Sequence, residues 1–388
     1  MKVKWFNRRN FVIAGSAALL GACQIVPKTG PSTTGPQAGP APEPSATALP
    51  TDAARHRVAL LVPMSGATGA VGQSLANATT MALLDTNASN LRITSYDTAN
   101  GAGAAAAQAI ADGNKLILGP LLAENVPAVR AAAQPAGVTA ISFSNDTSVA
   151  APNVFVMGHI PEQSIRRSVL YAREQGASSF AALLPNGDYG QRSMSALSNA
   201  LRDFGGNLVT TQRYARGNTS IVSAAQRLRT AGGYDTVLVA DGARLAVQAA
   251  GELRKEDGSN TRLLGTELWS GESALTRAGA LQGALFAAVS DSRFGQFASS
   301  YEGRFGSRPY RISTLGYDSV LLTLRVARDW RVGQEFPARQ LRDDGGFLGI
   351  DGAFRFMRTG VVERSMEVRE VRGNQVLIVD AAPSRFDD

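Results

Sequence analysis

The sequence predicts an α/β protein built as two doubly wound parallel-sheet lobes, and three observations carry that prediction. Residues 58–62 form an unbroken apolar run, as a parallel strand covered on both faces requires. Strand-like and helix-like stretches then alternate at about 25-residue spacing. The alternation runs through two successive series in a chain of 388 residues, long enough for two cores.

In chain order, Pro63 ends the first strand, and Ser65-Gly66-Ala67-Thr68-Gly69 makes the turn. From Val71 the positions Leu75, Ala78, Thr79, Ala82 and Leu83 recur at helical spacing, so this helix lays one face on the sheet. Further strands are expected at 91–96, 115–118 and 138–143, with helices at 104–111 and 125–134. Residues 154–157 lead into the second series. It comprises helices at 165–174, 190–204, 220–230 and 243–253, and strands at 180–184, 208–213, 236–240, 262–265 and 284–289. Helices at 296–305 and 318–329 follow, and 352–379 reads as an antiparallel meander.

Ahead of the folded part, a basic start, an apolar run at 11–20 and the small residues Gly21-Ala22 lead to Cys23, the only cysteine. The apolar run of about ten residues is too short to span a bilayer. The pattern resembles a bacterial lipobox, which implies cleavage after residue 22 and lipidation of Cys23. Asn7-Arg8-Arg9-Asn10-Phe11-Val12 also resembles a twin-arginine export signal, and both export routes stay open. Gln24 after the lipidated cysteine points, by resemblance to the enteric sorting rule, to the outer membrane of a Gram-negative cell. Residues 23–55 are rich in Pro, Gly, Ala, Ser and Thr, the composition of a solvated linker. Some 30 residues of polyproline II reach roughly 90 Å. A short tail is expected at 383–388.

The formal charge of +7 does not indicate a nucleic-acid partner: Lys2, Lys4, Arg8 and Arg9 precede Cys23 with no acid among them, and removing those four leaves +3. No basic stripe is interleaved with aromatics. Enzyme motifs are missing too: the sequence has no G-x-S-x-G, Walker loop or cysteine cluster. Gly101 to Ala106 fits a loose dinucleotide pattern but reads as the low-complexity start of a helix. The two histidines, His56 and His159, sit in no metal or triad spacing and read as structural. Catalytic residues, metals and cofactors are therefore not expected.

The stretches VALLVPMSGATGAVGQSLANATTMALLD, SYDTAN, LILGPLLAENV, AISFSND, LLPNGDYGQ, LLGTELW and GIDGAFRFMRTGVVERSMEVREV, in this order, resemble type I periplasmic binding proteins of the leucine/isoleucine/valine-receptor kind. The resemblance implies one domain over 56–382 whose chain crosses three times between lobes, with ligand bound in the cleft between them. It assigns about 56–157 and 291–345 to the first lobe, and 158–290 and 346–382 to the second. The lipobox, tether and this domain together also resemble the lipoprotein activators of penicillin-binding proteins.

Carried onto this sequence, the resemblance places Ser65, Gly66, Gly119, Leu121, Ser142, Ser144, Asn145, Tyr189, Asp241, Glu267 and Trp269 at the cleft. Receptors of the family hold the ligand carboxylate with hydroxyls and amides at a helix N-terminus, where free N–H groups favour anions. Here that loop is Leu121-Leu122-Ala123-Glu124, without Ser or Thr. Tyr189 matches a ligand-stacking aromatic and Glu267 the acid that pairs an ammonium, or else they pack on a turn and cap a helix. Trp269 either lines the cleft or covers the core.

Two functions are compatible with this reading. One is a regulatory envelope lipoprotein, held to the membrane only by its lipid, acting on a penicillin-binding protein or other peptidoglycan machinery, with room for a small amino-acid-like or peptide ligand. The other is the solute receptor of an ABC permease for branched-chain amino acids.

Overall fold

Strand β1 (His56–Val62) sits inside a parallel sheet in the order β2 (Leu91–Asp97), β1, β3 (Leu116–Leu118), β4 (Thr139–Ser142), β5 (Val154–Val156). The computed structural model describes residues 54–255, 261–383 and 386. The expected signal peptide, Cys23 and nearly all of the linker, as well as most of the tail, lie outside the described residues.

The apolar run has the physical cause expected of it. Val58, Leu60 and Val62 enter the core on one face of the sheet, and Ala59 and Leu61 on the other. All five are at most 1% exposed, and each fully buried Val or Leu contributes about 1.5–3 kcal/mol of transfer free energy. Helices α1 (Gly69–Asp85), α2 (Ala102–Ala111) and α3 (Val126–Ala133) follow β1, β2 and β3 in turn.

The second lobe repeats the plan. After α4 (Pro161–Glu174), strands β6 (Ser179–Pro185), β7 (Asn207–Tyr214), β8 (Thr236–Val239), β9 (Arg262–Leu264) and β10 (Leu285–Ala288) form a parallel core ordered β7-β6-β8-β9-β10. Helices α5 (Asp188–Phe204), α6 (Ser220–Ala231) and α7 (Ala243–Leu253) alternate with the strands, and a single turn α8 (Ala274–Arg277) precedes β10. Both lobes also press a glycine onto the proline that ends the leading strand. A Cβ on Gly72 would stand 1.7 Å from Pro63 O, and one on Gly190 1.8 Å from Pro185 O. Each glycine thus lets the first helix turn close on its strand.

Helices α9 (Phe294–Phe305) and α10 (Thr314–Ala327) return to the first lobe. There α10 lies on α1, with Gly316 against Leu75 O and the Ser74 and Ser313 hydroxyls 2.6 Å apart.

The closing segment differs from the expected single meander. Strands β11 (Phe347–Gly349), β12 (Gly352–Phe356) and β13 (Val362–Arg364) form a separate antiparallel sheet. Phe354, Phe356, Val361 and Val362 pack in the first lobe's core, where Phe356 meets Phe155 edge-on at 5.3 Å. Residues 347–364, expected in the second lobe, therefore pack with the first. Only β14 (Glu367–Arg372) and β15 (Gln375–Asp380) join the second sheet, antiparallel to β10 and to each other, which makes that sheet mixed. The third crossing accordingly falls between Arg364 and Glu367. No helix among the described residues is long and apolar enough to cross a membrane.

Candidate functional site

The parallel parts of both sheets reverse strand order beside their leading strand, so the loops at their carboxyl ends diverge there and leave a crevice. A cavity of about 490 Å³ occupies it. The first lobe supplies Val71 of α1, Leu121, Leu122 and Ala123 after β3, Phe143, Ser144 and Asn145 after β4, and Tyr310 to Ile312 before α10. The second lobe supplies Glu267, Leu268, Ser270 and Glu272 after β9, and His159 lies on the first crossing.

Of the residues expected at the cleft, Leu121, Ser144, Asn145 and Glu267 meet at this cavity. The others lie elsewhere, each for a visible reason. Ser65 and Gly66 are exposed on the β1–α1 turn, where the Ser65 hydroxyl donates to Asp97 Oδ2 at 3.2 Å. Gly119 adopts a left-handed φ of 105°, and a Cβ there would stand 2.2 Å from Leu61 O, so it serves the close approach of two strands. Ser142 is fully buried, donates to Pro120 O at 2.9 Å and accepts from the Ser144 amide at 3.1 Å. Asp241 is buried and does not line the cavity, accepting from Tyr214 Oη at 2.7 Å, Arg216 Nε at 2.8 Å and the Gly242 amide at 2.8 Å.

Trp269 belongs to the core. Its side chain is fully buried, packs on Phe286 and donates from Nε1 to Asp241 O at 2.9 Å. Gly265 leaves the space for it, since a Cβ there would stand 2.2 Å from the indole.

Tyr189 lies behind Glu267 rather than across the cavity from it. Its hydroxyl is 2.9 Å from Thr266 Oγ1 and donates to Glu267 Oε1 at 3.0 Å. Burial raises the Tyr189 pKa well above its ordinary value, and the Glu267 charge adds to this, so Tyr189 stays a neutral donor. Burial likewise pushes Glu267 up to about 7, against the Tyr189 bond. Glu267 Oε2 is buried and has no hydrogen-bond partner.

The polar groups that tie the lobes together carry no signal in the sequence. His159 Nε2 is 2.7 Å from Asp351 Oδ2, while Arg311 Nη1 reaches Asp351 Oδ1 at 2.5 Å and Arg311 Nη2 reaches Asp291 Oδ1 at 3.1 Å. Arg369 pairs with Asp291 and Glu367, and Arg364 Nη2 donates to Met157 O at 2.6 Å. Residues from all three crossings, near 157–159, 289–291 and 364–367, thus share one charged network. Burial works to raise the Asp351 carboxyl, but Arg311 and His159 hold it far below the usual carboxylate range. Asp318, buried beside it and facing its charge, is pushed up to about 7. Desolvation lowers His159 despite Asp351. Across the mouth, Arg192 of α5 pairs with Glu162 through two 2.7 Å bonds and donates to Asn145 O of the first lobe at 2.6 Å.

Among the described residues no group of His, Cys, Asp and Glu is arranged to hold a metal ion. The arrangement can enclose a small molecule and offer it an apolar wall and a buried carboxyl.

Comparison with known proteins agrees with this geometry. The family described as periplasmic binding protein matches residues 56–375. Among curated proteins, the uncharacterized protein RP748 of Rickettsia prowazekii is 29% identical over 173 residues, 44% of this chain and 46% of its own length. The penicillin-binding protein activator LpoA of Klebsiella pneumoniae is 33% identical over 108 residues, 28% of this chain and 15% of that protein. The matched stretches thus span less than half of each of these relatives. A putative branched-chain amino acid ABC transporter protein from Rhodospirillum rubrum superposes with a TM-score of 0.74 at 19% identity, covering 84% of this chain and 100% of that one. LivJ of Streptococcus pneumoniae, solved with isoleucine, gives 0.65 at 17% identity over 85% and 100%. At such identities the likeness establishes the fold.

Proposed function

We propose that this chain, which belongs to the periplasmic binding protein family and is non-catalytic, is an envelope lipoprotein that regulates peptidoglycan synthesis as an activator of a penicillin-binding protein. The observation that carries the reading is the first-lobe wall of the cleft. Leu121, Leu122 and Ala123 occupy the place where a free amino acid's carboxylate needs donors, Ser142 is spent on Pro120 O, and Arg311 is already matched by two carboxylates. A cleft of this kind does not favour carrying leucine to a permease. The partial likeness to LpoA, together with the lipobox at Cys23 and the linker after it, supports anchorage at the outer membrane and reach toward a synthase.

Glu267 Oε2, buried at the cavity without a partner, favours a second reading as a solute receptor for an ammonium-bearing ligand. Co-purification from detergent-solubilised envelopes separates the two. A penicillin-binding protein is expected with the chain in the outer-membrane fraction; an ABC permease, or leucine, isoleucine or valine binding at micromolar affinity by calorimetry, would overturn the regulatory reading.

A further inference from the structure

At the amino ends of the first lobe's strands, opposite the cleft, lies a second cavity of about 250 Å³. None of the described residues lining it is acidic, whereas Arg57, Lys115 and His56 all border it. Lys115 immediately precedes β3 and its amide donates to Arg57 O at 3.0 Å, so adjacent parallel strands set two cations side by side. Like charges so placed repel unless an anion lies between them. Arg57 Nη1 donates to Asp112 O at 2.7 Å, in the space left by Gly113, where a Cβ would stand 3.1 Å from the same nitrogen. That bond fixes the guanidinium but does not neutralise it.

His56 supplies an independent sign. It is only 4% exposed, its ring is stacked on Trp330 at 4.1 Å and 15°, and its Nδ1 is buried with no hydrogen-bond partner. A native interior rarely leaves such an atom unmatched without a ligand or water to meet it.

We propose that this cavity binds a phosphate group carried on a small organic substituent. A fixed guanidinium, a lysine point charge and an imidazole nitrogen together suit a doubly charged group with several acceptor oxygens. The volume exceeds that of bare phosphate, and the Trp330 side offers an apolar surface to the remainder. The site is separate from the cleft and independent of what the cleft binds.

Calorimetry on the whole folded chain at low salt, with glycerol 3-phosphate as the probe, tests it. Binding at millimolar affinity or better is expected, weakened roughly five- to tenfold by Lys115→Gln and abolished when Arg57→Gln is added. The His56 imidazole resonances should shift on binding, which reports the site even if Arg57→Gln impairs folding. Vesicles containing phosphatidic acid, whose headgroup is a phosphate monoester like the soluble probe, distinguish the source. Lys115-dependent capture by them identifies a lipid headgroup, and binding of glycerol 3-phosphate without capture identifies a soluble ester. No binding of either probe, or binding unchanged in Lys115→Gln, overturns the proposal.

Discussion

His159 and Asp351 meet at 2.7 Å although they lie 192 positions apart, and the contact ties the first interlobe crossing to the loop between β11 and β12. Asp351 also accepts from Arg311 and from Thr314 Oγ1 at 2.9 Å, so one fully buried carboxylate organises side chains from separate parts of the chain. Movement between lobes must work against this network, because the same residues extend through Asp291 to Arg369 on the second sheet.

Asp351→Asn should therefore destabilise the protein by about 3–5 kcal/mol, since it leaves Arg311 buried without half of its counter-charge. The cost will be tempered if Asp318, no longer facing a neighbouring negative charge, ionises in its place. Urea unfolding of Asp351→Asn and of Asp351→Asn with Asp318→Asn measures both: the double variant should be the less stable. Equal stability of wild type and Asp351→Asn would show that the network contributes nothing to the fold.

The Glu267 carboxyl gives a pH prediction with a definite sign. Its folded value of about 7 lies above the ordinary 4.5, so the native state holds the proton more tightly than the unfolded chain does. Its contribution is full below 4.5, declines as pH rises to about 7 and changes no further. The decline is worth up to about 3 kcal/mol. His56 and His159, lowered by burial, act oppositely and lose stability as pH falls below their ordinary 6.5. Comparing denaturation of wild type and Glu267→Gln between pH 4.5 and 8 isolates the first effect. The variant should gain on wild type as pH rises, and a constant difference across that window would contradict the assignment.

The cores were legible because apolar periodicity reports which faces are buried. Residues 58–62 read as a two-faced strand, and both faces of β1 and of β6 are filled by the residues that pattern marks, Leu60 and Leu61 in the first and Leu183 and Leu184 in the second. The partner of a short strand is not encoded that way. The alternation in 352–379 is the same whether its strands join one sheet or two, and only the packing of Phe354 and Phe356 on the first lobe decides it. Trp269 after β9 was equally ambiguous until Gly265, four residues earlier, allowed the indole to fold inward. His159, Arg311 and Asp351 lie in loops, where polar residues carry no period, so their convergence had no sequence signal.

Gly119→Ala should be strongly destabilising, whereas Gly66→Ala should be milder. Both glycines have positive φ, 105° and 72°, but a Cβ at 119 would meet Leu61 O at 2.2 Å while one at 66 meets nothing within 4 Å. The difference isolates backbone crowding from conformational strain, which alone costs about 1–3 kcal/mol. Thermal unfolding of the two variants should place Gly119→Ala clearly lower; equal melting temperatures would mean that β1 and the loop after β3 separate without penalty.

Arg192 provides the last test, because it joins the lobes at the cleft mouth without belonging to the buried network. Its guanidinium is held by Glu162 within the second lobe and donates to Asn145 O of the first. Removing one charged hydrogen bond of this partly exposed kind costs about 1–2 kcal/mol. Arg192→Ala should thus leave the fold intact but shift the protein toward a more open form, with a larger radius of gyration in solution scattering. Asn145→Ala keeps the backbone acceptor and should leave that radius unchanged. If Arg192→Ala scatters like wild type, the lobes are held by the Asp351 network alone and the contact at the mouth is incidental to closure.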